Sequence, residues 1–133
     1  MKMSHISAGA LLIVGSGLAP LAANAQQPGI QRTDLVQHDL SIPAHETVQA
    51  RVDFGPGAIS IEHSHPGEEV AYVLEGSLEY QLEDRAPVTL HAGEALFIPA
   101  GVAHLAKNVG SGKASELATY IVEKGTPLVV PVK

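Results

Sequence analysis

Residues 57–76 read GAISIEHSHPGEEVAYVLEG, and two features of this stretch set the reading of the whole chain. One is alternation: Ile59, Ile61, His63 and His65 share a face if Ala58–His65 is extended. The other is punctuation, because Pro66-Gly67 turns the chain after the second histidine and Glu75-Gly76 closes the next apolar run. Imidazoles one residue apart on a strand project from the same side, roughly 7 Å apart along it, and can converge on one ion. Glu69 opens the following strand and could return a carboxylate to that point. His104 follows the turn Pro99-Ala100-Gly101 and heads a strand able to cross the same cavity. A His-x-His pair alone is also common on a solvated strand, and Glu62, Glu68 and Glu69 alone read as a solvated face. Spacing leaves both readings open.

Working outward, the same period recurs. Thr47–Phe54 sets Val48, Ala50, Val52 and Phe54 on one face. Val70–Leu74, Leu78–Leu82, Val88–Leu90, Ala95–Ile98, Val102–Val109, Leu117–Val122 and Leu128–Val132 are further short strand candidates, with Gly- and Pro-rich turns between them. No helix is expected. Many short strands in so small a chain indicate an antiparallel sandwich or barrel. Gln26–Leu40 reads as an arm, loosely ordered over Gln26–Gln31.

Residues 1–25 read as a cleaved secretory signal. Lys2 precedes an uncharged, largely apolar run from Ile6 to Ala23, and Ala23-Asn24-Ala25 has the small-x-small pattern of a cleavage site. Gly15, Gly17 and Pro20 interrupt the run, leaving it short of a membrane span. The expected organisation is a leader over 1–25, an arm and first strand over 26–46, and a single barrel domain over 47–133. The mature chain is expected in the periplasm or outside the cell, with no membrane attachment after cleavage.

Composition narrows the chemistry. Without the leader, seven Lys and Arg face fourteen Asp and Glu, an acidic balance that argues against nucleic acid as a partner. The absence of cysteine removes disulfides, thiolate metal sites and thiol nucleophiles. Any metal must be held by nitrogen and oxygen.

Gly57-x5-His63-x-His65-x3-Glu69-x6-Gly76 resembles the first signature of the cupin superfamily, and Gly93-x5-Pro99-x-Gly101-x2-His104-x3-Asn108 resembles the second. Every defining position of both is filled. The resemblance implies an all-β fold, the cupin-type double-stranded β-helix or jelly-roll barrel, with one metal at its centre. Carried across by position, it makes His63, His65, Glu69 and His104 the ligands, and Glu69 the base able to accept a substrate proton. Three imidazoles and one carboxylate suit a divalent transition metal such as Fe, Mn, Ni, Co, Cu or Zn, with positions left open for a substrate.

The expected function is that of an exported metal-binding cupin, dioxygenase-like, acting on a small organic molecule that chelates the ion. A non-catalytic periplasmic binder is the alternative. A sugar-acid isomerase or lyase is a further one, weakened by the scarcity of aromatic residues. The resemblance also implies a homodimer, for which outward-facing Val70 and Tyr72 are candidates. Tyr72 has the opposite strand parity to Glu69 and should face away from the metal. Tyr80 and His91 read as a packed tyrosine and an exposed turn histidine. His38 and His45 read as surface residues, and Asn108 reads as structural.

Overall fold

The computed structural model describes residues 27–133, so the expected leader lies outside the described residues. Ten strands follow in chain order: β1 (Ile30–Asp39), β2 (His45–Phe54), β3 (His63–Ser64), β4 (Glu68–Glu75), β5 (Ser77–Leu82), β6 (Val88–His91), β7 (Ala95–Ile98), β8 (His104–Asn108), β9 (Ala114–Glu123) and β10 (Val130–Pro131). They form two antiparallel five-stranded sheets, ordered β1-β2-β9-β4-β7 and β10-β3-β8-β5-β6. No helix occurs among the described residues. The expected jelly-roll sandwich is the fold.

The inward faces follow from strand parity. Ala50, Val52 and Phe54 of β2, Ala71 and Val73 of β4, and Leu78, Tyr80 and Leu82 of β5 are buried. All of these but Ala50 pack with Leu90, Ile98, Ala106 and Ala114 into one core cluster, while Ala118, Tyr120 and Val122 form a second with Val48 and Leu128. Burial of this kind contributes about 25 cal/mol per Å² of apolar surface. The opposite parity of β4 puts Val70 and Tyr72 about 40% exposed on the outer face, not beneath the second sheet.

Two stretches depart from the sequence expectation. Gln26–Leu40 is not merely an arm: its residues 30–39 form β1, paired with β2 along its length and shifted in register between Asp34 and Val36. Most of its side chains are exposed, so it carries no apolar alternation to announce a strand. Conversely, Ala58–His65 is not one regular strand: His63–Ser64 keeps the ladder, and Ile59 retains an isolated bridge to Lys107. The cause is local. The Ser60 hydroxyl accepts the Ala106 N–H, taking a place a carbonyl would hold in a regular ladder. Ile59 and Ile61 stay about half exposed.

Two glycines fix how the site-bearing turns meet the rest. A Cβ on Gly67 would lie 2.0 Å from the Ile121 carbonyl oxygen, so the turn between His65 and Glu69 lies flush on β9. Gly76 combines a φ of 73° with a Cβ position 2.6 Å from the Lys113 carbonyl oxygen.

Candidate metal centre

His63 sits on β3, directly paired with His104 at the start of β8, and His65 follows one residue beyond β3. Glu69 comes from β4 in the other sheet, paired with Tyr120 and Ile98. The sandwich thus brings all four expected ligands to one place between its sheets. The ring centroids of the histidines lie 4.5–5.0 Å apart, and their candidate ligand atoms all lie within 4.8 Å of one another.

Backbone carbonyls decide which nitrogen of each ring is free. The Nδ1–H groups of His63, His65 and His104 donate to the carbonyls of Ile61, Leu128 and Val102 at 2.7, 2.7 and 2.9 Å. Each neutral ring is left with an unprotonated Nε2, as a metal-ligating histidine requires. Glu69 Oε2 lies 2.9 Å from His65 Nε2 and 3.2 Å from His104 Nε2. Both His65 Nε2 and Glu69 Oε2 are buried with no hydrogen-bond partner among the described residues. Lone pairs facing a carboxylate oxygen in a buried site repel unless a cation stands between them. The donor set fits a divalent transition ion.

Without an ion, only a proton can serve that purpose. Burial lowers the His104 imidazole, but contact with Glu69 outweighs it and the net shift is upward. Burial likewise pushes the Glu69 carboxyl up, yet His104 and His65 hold it down at about 2. His63 is pushed down to about 4, first by burial and then by the neighbouring rings, so it stays neutral and ready to ligate.

The four residues line a cavity of about 260 Å³ whose remaining walls are largely apolar, including Ile30, Val52, Phe54 and Ala106. The same lining carries further polar residues that sequence reading did not place in a site. Tyr80 donates its hydroxyl to Glu116, and both are buried in the cavity wall. Burial, then the charge of Glu69, pushes the Glu116 carboxyl up to about 8. Tyr120 stacks edge-on against His65 at 4.7 Å and receives a hydrogen bond from Arg32. Glu116 had a legible signal: it shares the parity of Ala118, Tyr120 and Val122, but the strand expected over Leu117–Val122 starts one residue too late to include it. Arg32 had none, since it lies in the stretch read as an arm.

The remaining candidates lie apart. Tyr72 points outward and His91 is exposed, its Nδ1 beside the Ser77 hydroxyl. His38 is exposed, and both it and His45 hydrogen-bond nearby backbone carbonyls. The buried Asn108 amide donates to the carbonyls of Phe54, Gly55 and Gly112 and accepts from Gly110 N–H, tying together two turns away from the histidines.

The described residues form one antiparallel β-sandwich whose histidine cluster could hold a metal ion. Residues 50–121 match the family model described as "Cupin domain", and the chain belongs to that family. Among curated relatives, germin-like protein subfamily 2 member 2 of Arabidopsis thaliana is 40% identical over 76 residues, covering 53% of this chain and 35% of the relative. The chain therefore spans about a third of the length of such relatives. A cupin-like protein from Thermotoga maritima superposes with a TM-score of 0.66 at 22% identity, covering 77% of this chain and 75% of that one. A recombinant oxalate oxidase in complex with glycolate superposes with a TM-score of 0.63 at 27% identity, covering 82% and 58%.

Proposed function

We propose that this chain is an exported cupin that binds one divalent transition ion through His63, His65, Glu69 and His104 and uses it in an oxygen-dependent reaction on a small organic molecule. The observation that carries the ion is the meeting of His65 Nε2 and Glu69 Oε2, both buried and unpartnered. The likeness to a solved oxalate oxidase supports an oxidative reading of the same site. A bound ion would supply a Lewis acid and a template for a chelating substrate.

The protein's own residues supply the rest. Three backbone carbonyls lock the imidazoles in the ligating tautomer, so little reorganisation is needed. Glu69 is the group placed to accept a proton from a substrate at the ion. Largely apolar walls lower the local polarity of the cavity and strengthen the charge interactions within it.

A second reading rests on Glu116. A buried carboxylic acid held by Tyr80 is a second proton carrier facing the same cavity. That suits an isomerase or lyase, in which a proton removed at one atom is returned at another. Oxygen-electrode measurements with enols, β-diketones and catechols separate the two: substrate-dependent oxygen uptake supports the oxygenase, and turnover without uptake supports the isomerase or lyase. Binding without turnover would leave a non-catalytic carrier.

Export and assembly belong to the same proposal. The N-terminal residue of protein recovered from the producing cell is expected to be Gln26. A homodimer would use the outer face of the β4-containing sheet, where Val70, Tyr72, Phe97 and Ile121 are 40–56% exposed on adjoining strands. Light scattering checks it, with Tyr72→Glu expected to shift the species towards monomer.

A further inference from the structure

Arg32 stands in an unusual place for an arginine. It comes from edge strand β1, where most side chains are exposed, yet its own side chain is only 21% exposed. Its register partner is Val52, which is itself paired with Glu116, so Arg32 enters the cavity wall on the row of that acid. Asp34 Oδ1 holds its Nε at 2.9 Å, and Nη1 donates to the Tyr120 hydroxyl at 3.4 Å. The guanidinium carbon lies 5.4 Å from the centre of the Tyr120 ring. Both contacts fix the plane of the guanidinium at low entropic cost. Neither uses Nη2, which has no partner among the described residues.

The charges around the cavity point the same way. Arg32 is the one lysine or arginine among its described lining residues. Against it stand the carboxylate of Glu69 and the acid of Glu116, while the three histidines are neutral in the ligating tautomer. With a divalent ion at the histidines and Glu116 protonated, the groups at the cavity sum to a positive charge even when the Asp34 carboxylate beside Arg32 is counted, among largely apolar walls. Such a site favours an anion, and a guanidinium with a free edge recognises planar anions best.

We propose that Arg32 anchors the carboxylate of a small organic acid, whose other polar end lies towards the histidines and Glu69. This assigns the substrate class and rests on the metal-site reading above. It also gives β1 a role in specificity, since this strand carries the only cation in the described wall. Tyr120 is the positioning residue: it orients Arg32 on one side and packs against His65 on the other.

The test is calorimetric binding of the α,ω-dicarboxylates malonate, succinate, glutarate and adipate, each compared with its monoamide. The protein is the metal-loaded mature chain, with ion content measured on every sample. One chain length is expected to bind on the order of ten- to a hundredfold more tightly than its monoamide, the range for a charge-assisted hydrogen bond. Arg32→Gln should erase that difference while leaving monoamide affinity within about twofold, and Arg32→Lys should restore part of it. Three results overturn the proposal: no acid-over-amide preference in the wild type, a preference that survives Arg32→Gln, or equal loss of both ligands, which would make Arg32 a support for Tyr120. Failure of the metal reading looks different. Wild-type protein that takes up no Co(II), yet keeps an Arg32-dependent preference for the acid, sinks the ion site and retains the anchor.

Discussion

The two sides of the cavity are built by different means. On one side, three imidazoles are each held by a backbone carbonyl, at 2.7–2.9 Å, and their free nitrogens face inward. On the other, side chains hold side chains: Tyr80 on Glu116, and Arg32 on Tyr120. A carbonyl anchor cannot be lost without disturbing the strand that carries it, so the imidazole side is as fixed as the fold. A side-chain anchor can be replaced one residue at a time. The first arrangement suits an ion whose geometry must not vary, and the second suits a ligand whose identity can change between related proteins.

The contrast can be broken most sharply at the imidazoles. His63→Ala or His104→Ala is expected to reduce the metal content of purified protein from near one ion per chain to less than about a tenth, measured by plasma emission. His91→Ala should leave it intact, because its imidazole lies beside the Ser77 hydroxyl, outside the site. Equal metal content in all three variants would remove the assignment.

Glu69→Gln asks for less and tells more. The amide keeps the shape but loses the charge and the basicity. Turnover is expected to fall on the order of a hundredfold or more, the usual scale for removing a general base. Ion affinity should drop by a smaller factor, read by competition with a chelating dye. A variant with unchanged turnover would take the proton-accepting role away from Glu69.

The side-chain wall predicts a pH effect. Glu116 keeps its proton in the native state up to about pH 8, whereas the unfolded chain sheds it near 4.5. Between those values the folded state binds more protons, so this residue's contribution to stability is full below 4.5 and is lost as the pH rises through 8. Glu116→Gln should therefore raise the melting temperature of the metal-free protein at pH 9 by on the order of 5–10 °C relative to wild type, with little gain at pH 5. The smallest effect belongs outside both walls: His91→Ala should change stability by no more than about 0.5 kcal/mol in a urea titration.

The same contrast explains what could be read from sequence. The residues that meet in the cavity were legible because a metal site would need particular residue types at particular spacings, and His63, His65, Glu69 and His104 do meet. The β-sandwich was legible because β2, β4, β5 and β9 bury alternate apolar side chains, a pattern that survives without any knowledge of partners. β1 was expected only as a first strand somewhere within 26–46, and its extent escaped notice for the converse reason: an edge strand stabilised by backbone pairing and polar side chains has no apolar period. Ala58–Ile61 misled because its alternation is real, yet Ser60 diverts the hydrogen bond that would have made it a strand. Glu116 and Arg32 acquire meaning only through register across three strands, information that lies between segments and not within any one of them.

His65 depends on a carbonyl 63 residues further along the chain, that of Leu128, and β10 just beyond it pairs with Ser64 and His63. A segment far downstream thus completes the first histidine pair. A growing polypeptide would carry both histidines long before the segment that orients them exists, so the chronology of synthesis itself defers the ordering of His65 until Leu128 has been made.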